Sequence, residues 1–137
     1  MNYWLVKSEP FVYSYDQLEK DGSTPWDGVR NYQARNNMRL MQQGDLVLFY
    51  HSNEGLEVVG IATVLQEHYP DTTAEKGDWS AVDLGPYKRF NQPVSLKEIK
   101  ATPGLQELGL VRNGRLSVMP VSFDEFSLLL KMGKTDI

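Results

Sequence analysis

Cysteine is absent from the 137 residues of this chain. The absence excludes a disulfide framework, a thiol nucleophile and every cysteine-based metal site, and it is typical of proteins that work in the reducing cytosol. Histidine is scarce as well, since only His51 and His68 occur. Their spacing matches no HExxH or other ligand motif. We therefore expect a protein that holds no metal and no cofactor.

Long apolar segments are missing too. No apolar run approaches the length that crosses a bilayer, and residues 1–7 lack the apolar core of a secretory signal. The formal net charge of −4 counts against a protein that coats nucleic acid, because bulk phosphate binding needs many lysines and arginines. A small basic patch can still bind locally. The expectation is one domain, residues 1–137, with no membrane association.

Short periodic segments separated by turns predict the secondary structure. Apolar and aromatic runs predict five strands, at Tyr3–Val6, Leu46–Tyr50, Glu57–Leu65, Trp79–Leu84 and Arg115–Val118. Capping residues predict five helices, which begin after Ser14, Asn31, Ser95, Thr102 and Ser122. Gly60 lies within a strand and indicates a bulge or a close backbone approach. Because strands and helices do not alternate regularly, we expect an α+β fold, with a curved antiparallel sheet or small β-barrel wrapped by short helices.

Planar polar side chains are concentrated between Asp27 and Asn53. Amide and guanidinium groups match the edges of nucleobases, so this density favours a pocket that binds a flat heterocycle. Trp26 stands just before this stretch among polar residues, which favours a wall against a base over core packing. Asn36 and Asn37 fall inside a helical pattern that disfavours asparagine. This cost indicates a use for at least one of the two.

Three arginines, Arg30, Arg35 and Arg39, recur along the same stretch. Such side chains are the best candidates for contacts to phosphate or sugar, and the alternative is an ordinary solvated helix face. Glu9 can accept from the exocyclic amine of a base or pair with an arginine. The triplet His51–Asn53 can contact a base edge or simply form a turn.

Several segments together resemble the EVE domain family. They are Tyr3–Pro10, Trp26–Asn36, Gly44–Asp45, Phe49–Asn53, Val59–Ala62, Tyr69–Asp71 and Arg115–Val118. The similarity covers essentially the whole chain in the same order. It implies a PUA-like fold, related to the YTH and ASCH domains, that accepts a flipped-out modified base, either methylated or hydroxymethylated cytosine in DNA or a modified base in RNA. The long basic tail of eukaryotic nuclear members is missing, which implies a bacterial-type protein of the cytosol.

The resemblance also assigns site residues. By similarity to YTH domains, Trp26 and Trp79 form the stacking pair, and Lys7 and Ser8 contact the bound nucleotide. The family motifs put the remaining base-pocket residues at Glu9, Val29, Asn31, Asn36, His51, Ser52, Asn53, Arg115, Leu116 and Ser117. The polar–apolar alternation of Arg115–Val118 is also what any half-buried strand has, so the assignment of that segment depends on the resemblance.

Catalytic signals are weak. The sequence has no G-x-S-x-G elbow and no Walker loop, so we expect a non-catalytic protein whose partner is a nucleic acid with a modified base. Two alternatives stay open. One is a sensor of a small molecule or nucleotide that uses the same pocket. The other is a hydrolase of modified nucleotides that uses Glu9 with His51.

Overall fold

One open sheet of six strands forms the centre of the computed structural model, which describes residues 1–137. The strands are β1 Tyr3–Ser8, β2 Thr24–Trp26, β3 Leu46–His51, β4 Glu57–Pro70, β5 Ser80–Ser95 and β6 Val118–Val121. Their spatial order is β2-β5-β4-β3-β1-β6. The edges β2 and β6 do not pair with each other, so the sheet does not close into a barrel.

Neighbouring strands are antiparallel except β1 and β3, which run parallel. The sheet is therefore antiparallel, as expected, except for this one pair. Parallel strands need a long crossover, and here it is residues 9–45, which carry α1 Tyr15–Asp21, β2 and α2 Tyr32–Leu40. As a result the carboxyl ends of β1 and β3 lie side by side, with Ser8 paired to His51.

Local capping signals begin four of the five helices where the sequence predicts them. The N-cap side chains accept from the backbone amide three residues on, at Ser14, Asn31, Ser95 and Ser122. The capping box at Ser14 is only half formed, because the Gln17 side chain donates to Asp21 instead. The later helices are α3 Leu96–Lys100, α4 Gly109–Arg112 and α5 Phe123–Met132.

Two predicted elements are wrong in position. No helix begins after Thr102, since turns occupy this stretch and the next helix starts at Gly109. The strand expected from Arg115 starts at Val118 and runs through Pro120. An edge strand tolerates this proline, because no neighbour on the open side needs its missing N–H. β2 had not been predicted, because three residues that include a proline give no strand pattern.

Gly60 is a point of close approach between β4 and Tyr15. A Cβ atom at Gly60 would lie 2.7 Å from Tyr15 Cζ, so only glycine leaves room for the ring. The Tyr15 hydroxyl donates to the Ile61 carbonyl oxygen at 2.7 Å. Register shifts at Phe49/Tyr50 and at Val58/Gly60 accompany this contact, and such bulges bend a sheet. The predicted close approach is confirmed.

The core is one cluster of 33 buried residues. It includes Trp4, whose Nε1 donates to the buried Asp45 carboxylate at 3.0 Å, so this tryptophan has a purely internal role. None of the helices has the length and hydropathy needed to traverse a bilayer.

Candidate functional site

A cavity of about 640 Å³ opens at the carboxyl end of β1. Its walls come from the turn after β1, from β2, from the loop before α2 and from the residue that precedes β6. A volume in this range suits a small organic ligand. The lining residues are Lys7, Ser8, Glu9, Val12, Tyr13, Thr24, Pro25, Trp26, Asp27, Gly28, Val29, Arg30, Asn31 and Ser117.

Two aromatic rings form a corner in the cavity wall. The centroids of Trp26 and Tyr13 are 6.3 Å apart and the ring planes meet at 84°. The indole also packs edge-on against Phe49 of the core, with a centroid distance of 5.5 Å. The Tyr13 hydroxyl donates to Asp21 at 2.9 Å, and burial raises the pKa of Tyr13. Both rings are therefore neutral and fixed in place. We call this pair the aromatic corner.

Hydrogen bonds hold the turn after β1 from two sides. The Glu9 carbonyl oxygen accepts from the amides of Val12 and Tyr13, both at 2.9 Å, and the Ser8 hydroxyl donates to the Tyr13 carbonyl oxygen at 2.6 Å. The Asn53 side chain donates to Glu9 Oε1 from the loop after β3. Glu9 Oε2 makes no hydrogen bond within the protein, so one carboxylate oxygen is open to a ligand.

Lys7 and Ser117 bring polar groups to the cavity from β1 and from the approach to β6. Lys7 Nζ donates to the Gly114 carbonyl oxygen at 2.8 Å, and the Lys7 amide donates to the Ser117 carbonyl oxygen at 3.0 Å. Burial lowers the pKa of Lys7, yet its ammonium group keeps two further N–H donors. The Ser117 hydroxyl has no partner, and the nearby exposed Arg115 makes no hydrogen bond or ion pair within the protein.

Asp71 anchors the loop before α2. Its side chain is fully buried and accepts from the Gly28 amide at 2.8 Å and from the Arg30 guanidinium at 2.9 Å. Burial by itself would raise the pKa of Asp71, but hydrogen bonds from Thr73, Arg30 and Gly28 outweigh it and hold this pKa well below its ordinary value. Gly28 has a φ of +78°, a left-handed conformation that favours glycine.

Asn31 combines two roles at the start of α2. Its Oδ1 caps the helix by accepting from the Ala34 amide at 2.9 Å. Its Nδ2 makes no hydrogen bond within the protein, and the residue lines the cavity. Because the two ends of a side-chain amide act separately, Asn31 can cap the helix and donate to a ligand at once.

Arginines connect α2 and the loop before it to the loop between β4 and β5. Arg35 donates to the Asp78 carbonyl oxygen at 3.0 Å, and Arg39 pairs with the Asp78 carboxylate at 2.9 Å. Arg30 adds the pair with Asp71. We call these three arginines and two aspartates the arginine clamp. All three guanidinium groups are engaged by the protein itself, and their contact with phosphate stays a prediction.

Trp79 packs on this clamp and not on the cavity. Its ring stacks on Tyr32, with centroids 5.1 Å apart and planes at 17°, and two clamp guanidinium groups lie 5.6 Å from its centroid. Its carbonyl oxygen accepts from the Asp71 amide at 2.9 Å. Trp79 therefore lies outside the cavity lining, and Tyr13 is the ring beside Trp26. A stacking role for Trp79 on a bound base stays a prediction.

His51 lies behind the cavity wall. Its Nε2 accepts from the Tyr15 backbone amide at 3.2 Å, and its ring packs edge-on against Phe49 at 5.7 Å. Burial lowers the pKa of His51, which favours the neutral ring that this bond requires. With its acceptor nitrogen engaged elsewhere, His51 is not arranged to act with Glu9 on a ligand. No three His, Asp or Glu side chains are grouped so that they could hold a metal ion.

Three further predicted residues outside the cavity have structural contacts. Ser52 donates its amide to the Ser8 carbonyl oxygen at 2.9 Å, Asn36 accepts from Arg35, and Leu116 is buried in the core. The structure thus brings together Lys7, Ser8, Glu9, Trp26, Val29, Arg30, Asn31 and Ser117. It leaves outside the cavity Trp79, Asn36, His51, Ser52, Asn53, Arg115, Leu116, Arg35 and Arg39.

Sequence reasoning missed several lining residues, namely Val12, Tyr13, Thr24, Pro25, Asp27 and Gly28. Asp27-Gly28 carried a turn signal just before a helix cap. Tyr13 carried none, because its approach to Trp26 depends on where β2 pairs in the sheet. Of the two asparagines inside α2, Asn37 has an internal contact, since its side chain donates to the Val118 carbonyl oxygen at 2.8 Å. A binding role for either asparagine stays a prediction.

Fold and cavity together define a class: a small mixed α/β domain with an open curved sheet and a polar and aromatic cavity at one end of it. The ASCH protein of Zymomonas mobilis shares this PUA-like fold, with a TM-score of 0.60 and 12% identity over 95% of this chain and 94% of its own. The chain belongs to the EVE domain family, whose model matches residues 2–132.

Similar proteins occur in bacteria and vertebrates. Thymocyte nuclear protein 1 of Rattus norvegicus is 36% identical over 98% of this chain and 75% of its own length. A crystal structure of an Agrobacterium tumefaciens protein has 49% identity and a TM-score of 0.96, and covers 98% of this chain and 94% of that one. Human THYN1, in complex with DNA that contains 5-methylcytosine, has 30% identity and a TM-score of 0.92 over 100% of both chains.

Proposed function

We propose that this chain is a non-catalytic reader of DNA that carries a modified cytosine. The modified base leaves the stack and enters the cavity beside the aromatic corner, where polar groups contact its edge. The observation that carries the proposal is the cavity itself, in which Trp26 and Tyr13 supply fixed rings beside polar atoms that lack partners. The human relative in complex with 5-methylcytosine DNA supports the choice of ligand.

Stacking on Trp26 is the largest favourable contribution that we expect. A base stacked on an aromatic side chain gains roughly 1–3 kcal/mol, whereas extruding the base from its stack costs a few kcal/mol. Stacking therefore offsets part of the cost, and contacts to the edge of the base have to supply the rest. The indole is already held by Phe49, so little side-chain freedom is lost on binding.

The unpartnered polar atoms of the cavity suit the edge of cytosine. Cytosine presents an amine donor next to two acceptors. Glu9 Oε2 can accept from the amine, and Asn31 Nδ2 and Lys7 Nζ can donate to the acceptors. Thymine has a carbonyl oxygen in place of the amine. That oxygen would face the Glu9 carboxylate and leave two acceptors without a donor, which is unfavourable in a buried site.

A methyl group adds only modestly to the affinity. Burying it against the apolar wall of Val12, Pro25 and Val29 contributes about 0.8 kcal/mol, which is about fourfold in the dissociation constant. A hydroxymethyl group can in addition reach the Ser117 hydroxyl, which has no partner within the protein. Discrimination above tenfold between modified and plain cytosine therefore points to a polar contact with the modification.

Phosphates next to the extruded base need a local positive patch, since the chain as a whole is acidic. Lys7 lines the cavity and has N–H groups to spare, and the exposed Arg115, two residues before the lining residue Ser117, has no partner within the protein. Arg30 lines the cavity as well, and its guanidinium keeps part of its surface open. Arg35 and Arg39 stay predicted contacts to the phosphate backbone of the nucleic acid. They can make these contacts only through N–H groups that are not already bonded within the clamp.

Titration with a panel of short oligonucleotides tests the proposal. Each DNA or RNA strand, single or paired, carries one cytosine or adenine that is plain, methylated or hydroxymethylated. We expect the tightest binding to DNA with a modified cytosine. Equal affinity across the panel would contradict a reader function. Tighter binding of the free modified nucleoside than of the oligonucleotide would favour a small-molecule sensor. A preference for RNA strands would indicate that the ligand is RNA.

Glu9→Gln tests the contact with the amine. The substitution exchanges an acceptor oxygen for an amide group, so we expect the preference for modified cytosine over thymine to fall by about 5- to 150-fold, the equivalent of ~1–3 kcal/mol for one base contact. Glu107→Gln is the control, because this glutamate is exposed and pairs only with Arg112. An unchanged preference in the Glu9 variant would exclude this contact.

The non-catalytic part of the proposal has its own test. His51 is engaged by the Tyr15 amide, which argues against a base–acid pair with Glu9. We expect modified nucleotides and oligonucleotides to be recovered intact by chromatography after long incubation with the protein. Any new product that disappears in Glu9→Gln would establish a hydrolase.

The bacterial cytosol stays the predicted location, which cell fractionation can test.

A further inference from the structure

Two apolar side chains are exposed at the mouth of the cavity. Phe11 is 70% and Val12 is 71% exposed, although both belong to the turn that carries Glu9 and Tyr13. Val12 lines the cavity, whereas Phe11, its neighbour in the chain, is not one of the lining residues. Neither side chain belongs to the hydrophobic core, so folding does not explain an aromatic ring at this position.

The turn that presents Phe11 is rigid. The amides of Val12 and Tyr13 donate to Glu9, and Ser8 bonds across the base of the turn to Tyr13. Asn53 ties the Glu9 side chain to the loop after β3. A mobile surface loop lacks such anchors. Here the backbone that carries an exposed aromatic ring is anchored next to Val12, which lines the cavity that a base has to enter.

We propose that Phe11 is a wedge that enters the base stack of double-stranded DNA where the modified base has left it. This inference rests on the proposed function and adds that the ligand is a duplex. Extrusion of a base leaves its former neighbours unstacked and its partner base unpaired. Apolar side chains inserted between base steps are a known way to occupy such a gap. In this arrangement the extruded base lies inside the cavity, and the Phe11 ring lies on the same turn but outside the cavity.

A single strand provides a sharp contrast. Its bases leave the stack without breaking pairs, so there is little gap for a wedge to fill. A wedge therefore contributes to duplex binding and not to single-strand binding. A ring that merely contacted the bound base or its sugar would contribute equally to both.

The test measures dissociation constants of the parent and of Phe11→Ala for the same modified cytosine in three settings. We expect the alanine variant to lose at least about fivefold on the paired duplex, the lower end of what one stacked aromatic contributes. The loss should be smaller when the cytosine is mismatched and absent in the single strand. Phe11→Leu should keep most of the duplex affinity, because leucine is also an apolar wedge.

Phe123→Ala is the matched control. Phe123 is 63% exposed and packs against Tyr3 at the opposite end of β1 from the cavity, so its removal should leave all three affinities unchanged. Both variants should unfold at the temperature of the parent, because their rings are mostly outside the core. An equal loss for Phe11→Ala on single and double strands, no loss on either, or the same loss for Phe123→Ala would overturn the wedge.

The two proposals fail in different ways. If the parent has no preference for modified cytosine in any setting, the reader function is wrong and the wedge falls with it. If the parent discriminates the modification but binds single strands only, or Phe11→Ala behaves like the parent on the duplex, the reader stands and the wedge is wrong.

Discussion

Trp26 and Trp79 lie in opposite kinds of surroundings. Trp26 belongs to a wall whose polar neighbours, Glu9 and Asn31, each keep an atom without a partner. Trp79 is covered by Tyr32, beside guanidinium groups that are already bonded to the protein. An aromatic ring among polar residues is therefore a poor guide to function by itself. Unpartnered donors and acceptors beside the ring distinguish a binding surface from a structural stack.

Exchange of each tryptophan for alanine gives the largest expected difference between the two regions. Trp26→Ala should weaken binding to the modified oligonucleotide by about 5- to 150-fold, because one stacking face is lost. Trp79→Ala should change this affinity by less than about threefold. Both variants should lower the melting temperature, because Trp26 packs on Phe49 of the core and Trp79 stacks on Tyr32. Fluorescence anisotropy and thermal unfolding measure the two effects. The reverse outcome would restore Trp79 as the stacking residue, as the resemblance to YTH domains predicted.

Asp71→Asn tests whether the clamp supports the loop that forms one wall of the cavity. The amide cannot accept from Arg30, Gly28 and Thr73 as the carboxylate does, so we expect a loss of about 1–3 kcal/mol in the free energy of unfolding at pH 7. Asp78→Asn is the control. Its carboxylate is 84% exposed, and exposed pairs contribute about 0–1 kcal/mol. Equal losses in urea unfolding would contradict the anchoring role of Asp71.

The stability difference between the parent and Asp71→Asn should also depend on pH. The pKa of Asp71 is lowered in the folded state, so its ionised form stabilises the fold at every pH above the ordinary value of about 3.9. This contribution is lost as the pH falls below that value towards the folded pKa. The stability difference between parent and Asp71→Asn should therefore shrink below about pH 4. A constant difference down to pH 2 would argue against the lowered pKa.

The smallest expected effect is on the salt dependence of binding, which distinguishes the unpartnered Arg115 from the arginines of the clamp. Arg115 has no protein partner, so Arg115→Ala should make the slope of log K against log salt shallower by about 0.9, the value for one phosphate contact on duplex DNA. Arg39→Ala should leave the slope nearly unchanged, because its guanidinium is already bonded to Ser80 and Asp78. A shallower slope for Arg39→Ala would support the predicted phosphate contact instead.

Local signals were sufficient for part of the structure. Ser95 and Ser122 cap helices with bonds that span three residues, and such short-range geometry is visible in the sequence. The parallel pairing of β1 with β3 was not, because it depends on the path of the whole crossover. The family motifs did identify one wall of the cavity, at Trp26, Val29 and Asn31.

Contacts distant in sequence decided where the structure places the residues that the sequence did not locate. Arg30 meets Asp71 across 41 positions, a bond that no local pattern contains, and its contact with phosphate stays a prediction. Tyr13 reaches Trp26 because β2 pairs with β5, and no local pattern contains that pairing. Trp79 lies on the clamp because its loop packs there, and it is separated from Trp26, with which the resemblance to YTH domains had paired it.

The separation of anchors from reading groups has an evolutionary consequence. The cavity wall is held by backbone bonds and by the Asp71 anchor, while the Ser117 hydroxyl and the Val12 side chain contribute little to folding. Proteins tolerate change most easily where stability is not at stake. Substitutions at Ser117, Val12 and Asp27 can therefore drift at little cost, so relatives on the same scaffold can acquire different chemical modifications as ligands. A library at these three positions is the natural starting point for retargeting the domain.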